Sequence, residues 1–471
     1  MKYKLLSFII IFITLFASLG ANYTIVNAYA YTTDFVSTVH YQNIGNDTAQ
    51  ISLKIFDQSG GEEFSGVVSE LEPNASTSLY IGGLGGLSSG FSGSAVISSN
   101  QPLASTVAQI GSGDVVNQPL SNGFSIGSSS VLIPTVLKNM FRFTSVFSVQ
   151  NVDSVAADLT LTFVPVTGSA IIHNVNDLAA YASYYVDMGT FSGISADTFN
   201  GSVKIESVKA DTTNPGSIVA TSMELQIDAY NAYAFNGASS TGTKIYMPSA
   251  LCKYGPNNES TSAYAVQNTT DGNVDVTVTY SNGNVDGPYT LEPYAKRSFD
   301  GCQAGNSIGF LGSATVTATG GNIHAVGKVY GGGVYPAYLG FIDGSEKIAL
   351  PFVRWTEDNW FDGTGQRSYI AVQNIGTTDI EAGDVTVKYY DKNGTLVGTH
   401  TLEGIPVGGK QNSHPQYVGA TEFGTYSDGS QGGGAIVEGP SGSKLAVIVR
   451  IQKYLGDGNL SGEDYEGIPI N

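Results

Sequence analysis

A chain of 471 residues with 41% hydrophobic residues and 59 Gly is too apolar to be disordered, and it holds too many turn-formers to be helical. Its 40 Asp+Glu against 21 Lys+Arg give a formal charge of −19, a field that repels nucleic acid and anionic lipid headgroups. With only 13% charged residues and 27 Tyr, the composition suits the pleated surfaces of an exported β protein.

The first element is a leader. "MKYK" supplies two positive charges, and 5–20, "LLSFIIIFITLFASLG", is an uninterrupted apolar run. The small-residue exits Val26-Asn27-Ala28 and Ala28-Tyr29-Ala30 follow. This order predicts a secretory signal peptide over 1–28. An uncleaved membrane anchor is the alternative, though the run is short for a span. No second long apolar run occurs, so no membrane span is expected in the mature chain. The last residues, "GIPIN", carry no wall-sorting signal.

Beyond the leader one short phrase recurs. Gln-Asn follows an alternating apolar stretch at Gln42-Asn43, Gln150-Asn151, Gln267-Asn268 and Gln373-Asn374, with spacings of 108, 117 and 106. A period that long is the size of a β-sandwich domain. Other landmarks keep the same phase. An alternating strand follows each pair at 51–60, 159–168, 274–283 and 384–394, with one face apolar and one polar. A turn phrase comes next: "LEPNA" (71–75), "LAAYA" (178–182), "LEPYA" (291–295) and a degenerate "LEGIPVG" (402–408). A second strand pair covers 93–109, 201–226, 312–330 and 433–452. Apolar strands carrying a Pro open the later copies at 131–139, 245–253 and 348–355. The expected organisation is all-β: four tandem antiparallel sandwiches over 29–130, 131–244, 245–347 and 348–471. Within each phrase the strand delivers apolar side chains to the core. Gln points to the opposite face, and Asn closes the strand end by bonding backbone two residues on. Four Gln-Asn ligand sites are the alternative.

The segment "LIPTVLKNMFRFTSVFSVQNVDS", followed by "FNGASSTGTKIYMP", resembles the tandem repeats of large, uncharacterised secreted bacterial proteins. The resemblance extends over nearly all of the chain beyond the leader. It implies Ig-like or related sandwiches on the cell exterior and brings no catalytic residues.

Two cysteines, Cys252 and Cys302, are expected to pair in an exported chain, the alternative being two separately buried thiols. The five His are scattered and form no H-E-x-x-H. "GFSGS" (90–94) and "GPSGS" (439–443) do not match a nucleophile elbow. Glu357 and Asp358 are neighbours along the chain, not a pair across a cleft. No catalytic residue, cofactor or metal is therefore expected. In "GDGNLSGEDYEG" (456–467), Asp457, Asn459, Ser461 and Gly462 fit a calcium loop, but Ile468 stands where a bidentate Glu is needed. A solvated turn is the simpler reading. Trp355, Trp360 and Phe361 cluster in 354–367 beside acids. They are either a flat ligand platform for sugars or packing residues, and Met140, Phe141 and Phe143 at the matching place in the second copy favour packing. Eight Asn-x-Ser/Thr sequons leave glycosylation open.

The expected protein is an exported, non-enzymatic rod of four sandwiches. A surface layer, sheath or filament would form from it by self-association or with other cell-surface components. Edge-strand pairing, or donation of 21–33 as a strand, would be the route. An adhesin that binds glycans is the alternative, and a hydrolase the weakest reading.

Overall fold

The computed structural model describes residues 9–15, 34–88, 90–111, 117–227, 231–255, 259–357, 365–426, 430–456 and 459–470. Strands dominate, because apolar residues alternate with polar ones. Ile51, Leu53 and Ile55 are fully buried, while Gln50 and Lys54 between and beside them face solvent.

Among the described residues the strands form eight antiparallel sheets that pack as four two-sheet units. The first unit holds β1 (Ile9–Leu15), β2 (Phe35–Asn43), β3 (Ala49–Asp57), β4 (Glu62–Leu71), β5 (Ser76–Tyr80), β6 (Gly93–Ser99), β7 (Leu103–Gly111) and β8 (Leu120–Asn122). The second holds β9 (Ser130–Lys138), β10 (Phe143–Asn151), β11 (Ala157–Pro165), β12 (Ile171–Leu178), β13 (Ser183–Asp187), β14 (Phe199–Lys209), β15 (Ile218–Gln226) and β16 (Ala232–Asn236). The third holds β17 (Lys244–Cys252), β18 (Thr261–Asn268), β19 (Val274–Tyr280), β20 (Val285–Leu291), β21 (Lys296–Asp300), β22 (Phe310–Thr319), β23 (Ile323–Tyr330) and β24 (Ala337–Leu339). The fourth is more broken. It holds β25 (Lys347–Leu350), β26 (Trp355–Thr356), β27 (Gln366–Asn374), β28 (Thr386–Asp391), β29 (Leu396–Thr401), β30 (Lys410–Ser413), β31 (Glu422–Phe423), β32 (Gly433–Glu438), β33 (Leu445–Gly456), β34 (Asn459–Glu466) and β35 (Ile468–Pro469).

Connectivity repeats. In the first unit one sheet runs β1-β6-β3-β4 and the other β5-β2-β7-β8, and the second and third units copy both orders. The fourth keeps the pattern as β29-β28-β32-β25 and β27-β33-β34, adding β35, β31 and β26 at sheet edges, with β30 on β27. Counted within a unit, the second strand pairs the fifth and the third pairs the sixth, as in an immunoglobulin domain. The first strand pairs the sixth, however, and the seventh pairs the second, which the immunoglobulin order does not do. Each unit has its own core: Val39, Tyr41 and Ile97 in the first, Phe147, Leu161 and Ile205 in the second, Tyr264, Val276 and Val316 in the third, Val372, Val387 and Val437 in the fourth.

The units do not string out as a rod. The outer face of each 1-6-3-4 sheet packs on the outer face of the next unit's 5-2-7-8 sheet. Phe56 and Val96 meet Val219 and Tyr181, β9 lies on β18 and β23, and β17 lies on β27 and β33. The fourth unit returns to the first: β32 lies on β5, and Ala108 and Leu120 join the fourth unit's core. At the centre β8 touches β16, β16 touches β24, β24 touches β34, and β34 touches β8. The expectation of an end-to-end rod is corrected to a closed ring. The physical reason lies in the second strand of each unit, which is buried on both faces because its outward positions, such as Ser148, Ala265 and Ala371, are small and uncharged.

Residues 9–15, expected within a leader, form β1 along β6. Cys252 and Cys302 are disulfide-bonded, with 4.6 Å between Cα atoms. Of the segment 456–467, Asp457 lies outside the described residues, and 459–466 form β34, the second strand of a hairpin, with Ser461 buried and Gly462 against Val334. Ser461 and Gly462 thus stand in a sheet strand, where a calcium loop would place them in an open turn.

Candidate functional site

The repeated phrase builds the seams between units. Every Asn of the four pairs is buried and does the same work. Asn43 donates to Asp47 O and Leu71 O and accepts from Gly45 N. Asn151 bonds Val155 O, Leu178 O and Asp153 N. Asn268 bonds Gly272 O, Leu291 O and Thr270 N, and Asn374 bonds Thr378 O, Ile405 O and Gly376 N. One side chain thus closes the strand end and pins the turn phrase that precedes the fifth strand. The Gln beside it faces outward from its sandwich, yet all four are 0% exposed, because the neighbouring unit covers them.

The turn phrase presents a carbonyl to the preceding unit. Asn74, Tyr181, Tyr294 and Gly408 all have positive φ, which swings that carbonyl outward. Ser94 Oγ donates to Tyr181 O (3.1 Å), Ser202 Oγ to Tyr294 O (3.1 Å) and Ser313 Oγ to Gly408 O (2.6 Å). The fourth seam varies the device. Gly434 stands where the Ser would be, and Gln42 Nε2 fills the space, donating to Asn74 O at 3.1 Å. Two hairpin glycines also need their lack of a side chain here: a Cβ on Gly60 would meet Ala180 O at 2.4 Å, and one on Gly394 would meet Pro73 O at 2.1 Å.

Charges are buried on the seams. Between the second and third units, Glu224 accepts from Thr135 Oγ1 (3.0 Å) and Lys328 Nζ (2.5 Å), while Lys296 Nζ donates to Thr135 Oγ1 (3.0 Å). Burial, helped by the nearby Lys328 charge, pulls Lys296 down to about 7. Lys410 occupies the same place in the fourth unit, donates to Pro248 O (3.0 Å), and is likewise pulled to about 7 by burial and by Arg450. Arg450 pairs with Asp464 through two contacts of 2.9 and 2.8 Å. At the ring-closing seam, His40 stacks on Phe352 at 3.8 Å and Arg354 Nη2 donates to Ser78 Oγ at 3.1 Å. Burial, with Arg354 beside it, holds His40 well below the usual histidine range. Glu463 accepts from Gln118 N (2.5 Å). Glu466 accepts from Leu339 N in the third unit and from Asn122 Nδ2 (3.2 Å) in the first. Burial pushes Glu463 up to about 8 and Glu466 up to about 7.

The aromatic cluster divides. Trp360 and Phe361 lie outside the described residues. Trp355 is buried in the fourth unit's core, so it cannot itself be an open platform. It begins a stack that reaches the surface. His414 lies on Trp355 (4.5 Å between centroids), Tyr417 on His414 (4.0 Å), and His400 on Tyr417 (4.3 Å). The guanidinium of Arg367 sits 4.8 Å from the Trp355 ring on β26. Burial lowers both histidines, His414 to about 4, so the stack is uncharged at neutral pH. Tyr417 is 58% exposed, and Gln416 beside it donates to Glu357 Oε1 at 3.1 Å. Both faces of the Tyr417 ring are covered, by His414 and by His400, so it presents its edge outward, beside amide and carboxylate groups that can bond sugar hydroxyls. Phe143, the counterpart in the second unit, packs on Tyr233 and on Tyr335 of the third. Sequence reasoning missed His400, His414 and Tyr417. Their only signal was the chain's single close pair of His in the last copy.

Among the described residues no group of three or more His, Cys, Asp or Glu is placed to hold a metal ion, and no helix is long and apolar enough to cross a membrane. No family model matches the chain, and no curated protein matches it. Among the solved structures similar to it, two are matched at low identity. The crystal structure of Thermotoga maritima 1070 is 15% identical, with 24% of this chain covering 96% of that one at a TM-score of 0.20. A tetra-tandem repeat from the extending region of a large adhesion protein is 14% identical, with coverage of 94% and 97% and a TM-score of 0.10. At these TM-scores neither likeness bears on what the chain does.

Proposed function

We propose that the chain is an exported, non-enzymatic structural protein of the cell exterior, a component of a surface layer, sheath or filament. In this reading a leader precedes four Ig-like or related sandwich domains with the boundaries given above. The observation that carries it is the seam. Four copies of one sheet-to-sheet contact use the recurring phrases of the repeat, so these residues serve cohesion between sandwiches. The leader-like start and the Cys252–Cys302 bond support an oxidising compartment. Negative-stain microscopy of the exported protein tests it: ordered arrays or filaments are expected, and discrete single rings at all concentrations would overturn it.

A second reading, a glycan-binding adhesin, rests on the polar rim at the end of the Trp355 stack, where the exposed edge of Tyr417 stands beside Gln416 and Glu357. A glycan array with Tyr417→Ala as control separates the two. Glycan signal that disappears in the variant supports the adhesin, and an array blank for both proteins removes it.

A further inference from the structure

The sixth strand of each unit offers an edge to the first strand, and the register is constant. Val203 faces Ile133 and Ile205 faces Val131. Ala314 faces Met247 and Val316 faces Ile245. Ala435 faces Leu350 and Val437 faces Ile348. In the first unit β6 offers the same edge, Ala95 and Ile97, to Ile13 and Ile11 of β1. That occupant lies within the stretch read above as a leader.

The spacing within the chain disagrees with that occupant. Four residues separate β9 from β10, eight separate β17 from β18 and 15, which hold the short β26, separate β25 from β27, but 19 with no strand among the described residues separate β1 from β2. The Gln42-to-Gln150 interval of 108 carries 131–138, the first strand of the second unit, back onto 23–30, "YTIVNAYA". Tyr23, Ile25 and Ala28 then fall where Val131, Ile133 and Val136 fill the second core, and where Ile245, Met247 and Ala250 fill the third. Four residues, 31–34, would remain before β2, a connection as short as the one between β9 and β10.

We propose that in the exported protein residues 23–30 occupy the β6 edge in place of 9–15, and that the leader is cut before Tyr23. The cut is a hydrolysis: an export peptidase adds water across one peptide bond, leaving a carboxylate on the leader and a new amine on the mature chain. The proposal rests on the export reading above and moves the boundary from the exits at Ala28 and Ala30 to the small residues Ala17 to Ala21. The strand acceptor is thereby filled by its own chain, and 21–33 is not free to complete a neighbour's sheet.

Two measurements on the exported full-length protein test it. Intact mass locates the new N-terminus. A start between 18 and 23 supports the proposal. A start at 29 or 31 overturns it while leaving export standing, and an intact Met1 overturns both. The second measurement is a cross-link. Val96 lies opposite Phe12 in β1 and, by the constant register, opposite Thr24 in the proposed pairing. The Thr24→Cys/Val96→Cys protein, mildly oxidised, is expected to close a second intrachain disulfide and migrate faster without reductant. Disulfide-linked dimers would show a strand donated by a second copy and overturn the assignment, as would two thiols that stay free.

Discussion

Removing Glu224 is the sharpest probe of the seams. Its carboxylate is 1% exposed and is hydrogen-bonded to Lys328, itself only 14% exposed, and to Thr135. Glu224→Ala leaves Lys328 buried without its anion and Thr135 without its acceptor. Breaking a buried pair from one side costs about 3–5 kcal/mol, because the orphaned charge keeps its desolvation penalty. Lys296 escapes most of that penalty by losing its proton near neutral pH, since its pKa lies at about 7, so the loss falls on Lys328. The double replacement Glu224→Leu/Lys328→Met removes both charges and is expected to recover most of the loss. A chain of several units need not unfold in one step, so the assay is hydrogen exchange at β9 and β23, backed by calorimetry. The single variant should speed exchange in both strands, and the double variant should restore slow exchange. Unchanged exchange in the single variant, or a double variant no better than the single, would refute the electrostatic account of this seam.

Reducing Cys252–Cys302 frees a loop closed across 50 residues, so the third unit should lose about 4 kcal/mol, read as a lower unfolding midpoint with dithiothreitol. Asn374→Ala removes three buried hydrogen bonds and should cost about 2–3 kcal/mol, with the loss seen in the fourth unit's calorimetric transition. Expression in a glycosylating host should leave Asn268 unmodified, since it is 0% exposed, and peptide mass mapping checks this. Stability should depend on pH in two opposed windows. Glu463 and Glu466 titrate higher in the folded chain, so the unfolded chain binds fewer protons and stability falls as pH rises from about 4.5 through about 7 and 8. Lys296 and Lys410 titrate lower in the folded chain, so stability rises from about 7 towards 10.5. A melting profile with its minimum near neutrality is expected, and Glu463→Gln should raise the alkaline half of the first window.

Much of the fold was legible because periodicity reports burial. Ile51, Leu53 and Ile55 announced β3, and the junction prolines Pro134, Pro248 and Pro351 lie in or directly after first strands that open at 130, 244 and 347. Asn43, Asn151, Asn268 and Asn374 close strand ends as their chemistry dictates. Alternation tells which way a side chain points, but not which strand lies beside it, so the departure from the immunoglobulin strand order was invisible. The ring was also hidden, although it left a trace. A wet outer face should carry charge, and the outward positions of the second strands carry His40, Ser148, Ala265 and Ala371 instead. Trp355 resembled a platform because aromatics cluster in sequence at 355–361. Its burial depends on His414 and Tyr417, which are more than fifty residues away and arrive from another edge.

Ring closure changes how copies can join. A contact that recurs head to tail either closes or propagates, and here the fourth sandwich meets the first before a second chain can. The sheet faces are thereby used, which leaves strand edges. The fourth strands, β4, β12, β20 and β29, form the outer edges of one sheet in every unit, and each is interrupted by a register shift against its neighbour: at Ile51/Ser52, Ala157/Leu159, Val276/Val278 and Tyr389/Tyr390. A bulge twists an edge and breaks the even row of donors and acceptors that strand addition needs. In the second, third and fourth units the first strand is met on its free side by chain returning after the eighth: Leu132 pairs Ala238, Tyr246 pairs Phe341, and β25 pairs β35. Edge pairing, expected from sequence as the route to a filament, is therefore hindered at the fourth strands and at the first strands of the last three units. The proposed association between copies would then use side-chain contacts across the rim, where Val67, Ile172, Val285 and Leu396 stand exposed on the four outer strands. Replacing these four by Lys should abolish assembly without disturbing the seams, and assembly that survives the change would return the argument to the strand edges.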